Sequence, residues 1–389
     1  MKRILIIGAG FLQDFVICKA RELGYYTLAI DGSPEAIGLK HADQSTVIDI
    51  TDCEACLDYA KKHSVDGVMT AATDYGVLSA SYVSEQLKLP GISYETAKLI
   101  KDKFEVCRRL KKLTKNDTYQ AFEVMPDTDV SSLDIHYPVI VKPCDGSGSR
   151  ATTKVDRPDK LHNAIRLALN TSRIKRALIE SFFCGNEYGA ESLVVNGKVY
   201  VLGIMKKWMT EPPFYAELGH QIPSDLPIET EQFAIHYVKN AIKELGINHG
   251  AVNMDLIIRE NGDVHIVDVG ARMGGNMIGT CIIPIGTGIH YLENLIRITV
   301  GDKPNWNRDK SERVATRLLA FNKGVIKKLP DFDALEEYYD VKIYHHLKEL
   351  EQVNEYHTNL DGYGYIVAKG ENASEIAERV LVEIRKSVI

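Results

Sequence analysis

The chain has 389 residues, 45% of them hydrophobic and 26% charged, with a formal net charge of −6 and a pI near 6.1. This is ordinary globular composition, long enough for two or three domains with real cores. No Lys/Arg block points to nucleic acid or an anionic membrane surface, and no apolar run is long enough to span a bilayer. The seven scattered cysteines, an odd number, fit reduced thiols and a cytoplasmic protein rather than a disulfide framework.

The chain begins with a short apolar run, Arg3 to Ile7, read as a first β-strand buried on both faces rather than as a signal peptide. Gly8-Ala9-Gly10 and a helical pattern through Phe15, Ile17, Cys18, Ala20 and Leu23 follow, then a strand from Tyr26 to Ile30 ending at Asp31. Further βα units run through Ser45–Val47, a helix near 53–63, a strand at Gly67–Met69 and a helix near 76–87. The alternation predicts a Rossmann-like domain over residues 1–95. Gly8 and Gly10 with Asp31 imitate a dinucleotide fingerprint, but Gln13 holds the third glycine position, so the pattern is read as a tight turn. Cys53 and Cys56 form a lone C-x-x-C without a second ligand pair. Thr51 and Glu54 look like the capping box of their helix.

A helix near 94–114 carries Lys101 and Lys103, and Lys115-Asn116-Asp117 marks a polar boundary. Residues 137–155 read as strand, Gly/Ser-rich loop (Asp145 to Arg150), strand. Such a loop presents backbone N–H groups and hydroxyls to an anion, and Lys142 on the entering strand needs an anionic partner. A helix near 157–169 precedes a strand ending at Glu180. A hairpin turning at Asn196-Gly197 puts Glu187 near Lys206 if the turn has two residues. Residues 208–226 read as a long functional loop holding Glu217 and His220, and a helix near 229–245 follows. After a helix near 288–300 and a polar linker from Pro304 to Arg313, short strands near 314–321 and 363–368 and a final helix complete the chain.

The most informative stretch is Gly250 to Asn276. Asn261-Gly262 between two alternating runs predicts a two-residue hairpin, which sets Asp255 directly opposite Asp268 and Asn253 opposite Gly270. Met254, Leu256, Ile258, Val267 and Val269 then face a core. Like charges opposite each other on a sheet repel, so a proton, a basic side chain or a divalent cation must compensate them. Oxygen-only ligands suit Mg²⁺, and Arg272, four residues past Asp268, adds an anion-binding fork.

The ordered series resembles the ATP-grasp superfamily, and within it the carboxylate–amine ligases related to the L-amino acid ligases. The resemblance covers essentially the whole chain. It implies an α/β and α+β architecture: a Rossmann-like pre-ATP-grasp domain (1–95), a two-lobed ATP-grasp core (96–303, divided into lobes 96–182 and 183–303) and a small C-terminal α+β domain (304–389). It also implies that ATP is held by Lys103, Lys142, the loop residues Ser147, Gly148 and Ser149, the segment Glu180, Ser181, Phe182 and Phe183, and the ribose carboxylate Glu187. Asp255 and Asp268 would hold Mg²⁺, for which Mn²⁺ can substitute. Arg272 would stabilise the acyl phosphate. Glu217 and His220 of an E-L-G-H element, with Arg272 and Gly274, would contact substrate, and His220 would orient it or take a proton from the amine. Two departures stand out. Gly270 replaces the family's asparagine after the second acid, and aspartate replaces glutamate at 255 and 268; either one Mg²⁺ is lost, or water or Asn253 fills the gap at 270. The expected activity is ATP-dependent joining of a small-molecule carboxylate to an amine, amino acids among the candidates, by an enzyme acting on neither nucleic acid nor membrane. A symmetric dimer is the expectation for assembly. A carboxylase using bicarbonate or a purine-type intermediate, and a nucleotide-binding protein without turnover, remain as alternatives.

Overall fold

The computed structural model describes the chain except residues 114–118, 147, 149, 212–214, 359–360 and 388–389. The polar boundary at 115–117 and the loop serines Ser147 and Ser149 therefore lie outside the described residues.

The N-terminal unit is a four-stranded parallel sheet in the order Gln44–Val47, Tyr26–Asp31, Arg3–Ile7, Gly67–Met69. The strands Arg3–Ile7, Tyr26–Asp31 and Gly67–Met69 bury apolar side chains on both faces because helices cover both, whereas the edge strand Gln44–Val47 is mostly polar and largely exposed. Leu5, Ile7, Leu28 and Ile30 pack against Cys56, Leu57 and Ala60 of the helix Cys53–His63. Ile4, Ile6 and Ala29 pack against Val16, Ile17 and Ala20 of the helix Phe11–Glu22. The imitation of a dinucleotide fingerprint has a structural use. The Asp31 carboxylate accepts from Ala9 N at 2.8 Å, and the buried Gln13 side chain donates to Ala71 O at 2.6 Å. Gln13 thus fills the turn. The expected Thr51–Glu54 capping box is not formed: Asp52 caps that helix through Ala55 N at 3.0 Å, and Thr51 bonds to Asp49 instead.

The expected single helix near 94–114 is two, Tyr94–Lys101 and Lys103–Leu110, so a boundary at residue 95 would fall inside a helix. The break is at Asp102, whose carboxylate caps the second helix through Phe104 N and Glu105 N. A four-stranded antiparallel sheet follows, ordered Ala121–Val124, Ala177–Ser181, Val139–Pro143, Thr153–Val155 and covered by the helix Leu161–Thr171.

The largest layer is an eight-stranded sheet. Its order is Val264–Gly270, Gly250–Ile258, Asn186–Val195, Lys198–Met209, Glu217–Ile222, Val314–Leu318, Gly364–Lys369, Val341–His345. Two expectations change here. Residues 217–222, read as loop, are a strand. The C-terminal strands, expected to form a small separate unit, continue this sheet through Gln221↔Ala315 and Ile222↔Val314. The strand Val341–His345 and the helix Phe332–Tyr339 were not read from the sequence.

Both hairpins of this sheet matter for register. Asn196-Gly197 is the expected two-residue turn, with both residues at positive φ. The other is not. Arg259 pairs with Asp263 around a longer loop in which only Gly262 has positive φ. A bulge between Asp255 and Leu256 then restores the register by one residue. Asp255 still faces Asp268 and Asn253 faces Gly270, but the bulge turns Ile266, not Val267, into the core.

Candidate active site

The three layers enclose a cavity of about 420 Å³. Its first end lies between the four-stranded sheet and the hairpin. Lys142 is 5% exposed and Glu180 3%, and they meet at 2.5 Å. The Lys142 ammonium also donates to Val267 O at 3.1 Å, while Glu180 accepts from Tyr119 OH at 3.1 Å. Burial pushes the Glu180 carboxyl up, but Lys142 and the hydrogen bonds outweigh it, so the group sits below its ordinary range. Lys142 likewise stays charged: burial pushes it down and Glu180 pulls it up further. Phe183 stacks on His265 with ring centres 3.8 Å apart, forming a flat apolar wall. Gly148, Ser181 and Phe182 line the same end.

Asp255 and Asp268 form the floor. Their repulsion is answered by two lysines. Lys103, the first residue of its helix, reaches Asp268. Lys207 reaches Asp255 at 2.9 Å and Glu217, and lies 3.9 Å from Glu187. A bulge at Leu202 moves the strand by one residue, so the lysine level with Glu187 is Lys207 and not Lys206. Gly203 marks that bulge in the sequence, as glycines inside strands often do. Lys207 holds three carboxylates at unequal cost. Glu217 is lowered to about 2 because Lys207 overcomes its burial. Burial lifts Glu187 to about 7, with Asp255 and Glu217 adding to it against Lys207.

The far end is built by the N-terminal unit. Arg272 makes a two-point contact with Asp74, Nε to Oδ1 at 2.9 Å and Nη2 to Oδ2 at 3.2 Å. Asn253 does not stand ready as a metal ligand: its Oδ1 lies 3.4 Å from Arg272 Nη1, and its Nδ2 donates to the fully buried Glu191 at 2.9 Å. Glu191 also accepts from Tyr291 OH at 2.5 Å and Gly274 N at 3.0 Å. The Gly274 amide, expected to meet substrate, is therefore committed to Glu191. Leu12, Ala72, Gly275 and Ile278 give this end an apolar wall.

Glu217 faces the cavity, with Asn276 donating to it and Tyr365 OH donating to Asn276 Oδ1 at 2.9 Å. His220 does not line the cavity. It is 1% exposed, sits behind Glu217 with Nε2 4.0 Å from Oε1, and is held down to about 4 by burial, which Glu217 only partly offsets. Direct contact with substrate, or proton transfer from an amine, is out of its reach in this arrangement. The strand fold of residues 217–222 is the reason: Glu217 lies at its open end and His220 within it. Lys207, Asp74, Glu191 and Asn276 were not singled out from the sequence. Asn276 has positive φ after two glycines, a visible sign of a special backbone position.

Residues 135–280 match the ATP-grasp domain family, so the chain carries an ATP-grasp domain. The carbamoyl phosphate synthase large chain of Caldanaerobacter subterraneus is 22% identical over 307 residues, covering 76% of this chain and 28% of that one. The chain spans 25% to 57% of the first curated relatives' own lengths. Among solved structures, the fold is similar to L-amino acid ligase from Bacillus licheniformis, with TM-score 0.84, 21% identity, and coverage of 100% of this chain and 98% of that one. It is also similar to phosphoribosylglycinamide synthetase from Anaerococcus prevotii, with TM-score 0.79, 24% identity and the same coverage.

Proposed function

Taking a chain that carries an ATP-grasp domain as the premise, we propose that it is an ATP-dependent ligase that activates a carboxylate as an acyl phosphate for attack by an amine. The observation that carries this reading is the Asp255–Asp268 pair on the floor of one cavity, with Lys142–Glu180 at one end and Arg272–Asp74 at the other. The γ-phosphoryl group of ATP passes to a carboxylate oxygen and ADP leaves. The amine then attacks the acyl carbon, phosphate departs, and the amine loses its proton.

The pair of hard oxygen donors fits Mg²⁺, which when bound neutralises phosphate charge. The chain's own groups do the remaining work. The Phe183–His265 wall and the Glu180 segment seat the base. Lys142, Lys103 and Arg150 neutralise the phosphates, Gly146 and Gly148 lie against them, and Glu187 takes the ribose. Arg272, fixed by Asp74, stabilises the charge that builds on the acyl group. The far end favours an unphosphorylated partner with an apolar side chain, such as an amino acid. The apolar wall of Leu12, Ala72, Gly275 and Ile278 supports this, and the Arg272 guanidinium beside it is already engaged by Asp74.

A pairwise screen of amino acids and small carboxylates, bicarbonate included, for ATP-dependent phosphate release tests the reading. Release that needs both a carboxylate and an amine supports it. Release with bicarbonate and a phosphorylated acceptor would move the activity to a carboxylase, and no release with any pair would leave a binding protein.

A further inference from the structure

Gly270 and Arg272 are sterically linked. A β-carbon built on Gly270 would lie 3.1 Å from Cζ of Arg272 and 3.4 Å from its Nε and Nη1. The guanidinium therefore rests on the bare backbone at 270. Asp74 holds it there from the other side with two hydrogen bonds, at 2.9 and 3.2 Å. Asn253, directly across the ladder from Gly270, turns its oxygen to the same guanidinium. Beside the aspartate pair, then, one of these two facing positions has no side chain and the other is occupied.

A side cavity of about 40 Å³ opens here, and its charged lining is Asp74, Lys101, Lys103, Asp255, Asp268 and Arg272. Half of these groups are cations. Asp74 is committed to Arg272, which leaves Asp255 and Asp268 as the carboxylates that could receive a metal. A second divalent cation in this space would meet a fixed guanidinium with no further carboxylate in the described lining to offset the repulsion. Arginine also cannot relieve that repulsion by losing its proton.

Building on the nucleotide and metal reading above, we propose that the site takes a single divalent cation on Asp255 and Asp268, and that the Arg272 guanidinium, seated over Gly270 by Asp74, fills the place of a second. Gly270 is then what lets Arg272 fold back across the strand. Asp74, contributed by the N-terminal unit, is a positioning residue that couples that unit to the charge of the phosphate site.

Crystals grown with Mn²⁺ and the β,γ-methylene analogue of ATP test this through the anomalous signal of manganese. The wild type is expected to show one manganese per chain, beside Asp255 and Asp268, with the Arg272–Asp74 contact kept. Gly270→Asn, which displaces the guanidinium and adds an amide oxygen, is expected to show two. Two ions in the wild type, or one in the Asn variant, would overturn the proposal, and the wild-type count is a test by itself if the variant does not fold. Nucleotide bound without any manganese overturns the single-cation site alone. Absence of both nucleotide and metal overturns the functional reading beneath it.

Discussion

Lys207 reaches Asp255 across an intervening strand. The two residues lie on Lys198–Met209 and Gly250–Ile258, which flank Asn186–Val195 on either side, yet the ammonium and carboxylate are 2.9 Å apart. The lysine side chain is 1% exposed and also holds Glu217. Removing one partner of a buried pair leaves the others uncompensated, which costs about 3–5 kcal/mol. Lys207→Met should therefore lower the urea midpoint sharply at pH 7, and less at pH 5, where the freed carboxylates can take protons. Lys206→Met, one residue away, should shift stability by less than about 0.5 kcal/mol. Equal effects of the two changes would reject the bulged register.

Asp268 is half of the proposed metal pair and is 40% exposed at its side chain. Asp268→Asn keeps the shape and removes the charge. Phosphate release in the productive assay should fall by at least about 100-fold, the scale of losing one group that stabilises transition-state charge. Stability should change little, because an exposed ion pair is worth at most about 1 kcal/mol. Activity within tenfold of wild type would remove Asp268 from that role.

Leu12 brings the N-terminal helix to the far end of the cavity, where a β-carbon on Gly275 would lie 3.4 Å from Leu12 Cδ1. Leu12→Asp places a carboxylate against that apolar wall. For a substrate with an apolar side chain, kcat/KM should fall roughly 10- to 200-fold, the range for losing an apolar contact in a specificity pocket. A substrate bearing a basic side chain should gain relative to it. An unchanged substrate ranking would show that the side chain is read elsewhere.

Glu191 gives a pH-dependent prediction. Burial lifts its carboxyl to about 7, against hydrogen bonds from Tyr291, Gly274 and Asn253 that lower it. The folded state therefore holds this proton more tightly than the unfolded chain does. Its contribution to stability is largest below the ordinary carboxylate range, near pH 4.5, and is lost as pH rises toward about 7. Glu187 acts in the same direction. His220 and His265, held at about 4 by burial, act oppositely, and their contribution is lost as pH falls from 6.5 toward 4. Glu191→Gln isolates one of these groups. Its stability relative to wild type should rise between pH 5 and pH 7.5 by up to on the order of 3 kcal/mol, read by urea unfolding. A pH-independent difference would mean Glu191 is not the group that titrates.

Much of the site was legible because short-range rules govern it. Lys142 stood out as a cation in an apolar strand before a glycine-rich loop, and it proved buried against Glu180. The opposition of Asp255 and Asp268 followed from the hairpin alone, although two departures cancelled: a loop one residue longer than expected and a compensating bulge. Where no second departure intervened, the reading slipped. One bulge at Leu202 exchanged Lys206 for Lys207, and side chains that alternate with period two change face at each such step.

What the sequence by itself determined was the kind of layers and the chemical types gathered on them, since apolar periodicity, turn residues and cap residues act over a few positions. It also placed the acidic pair and the strand lysine. Tertiary structure alone decided which charges meet. Arg272 is 198 residues from Asp74 in the chain, and Lys207 is 48 from Asp255. It also decided that the C-terminal strands extend the central sheet and that His220 points behind the site rather than into it. Bulges and sheet order set those contacts, and neither leaves a period in the sequence.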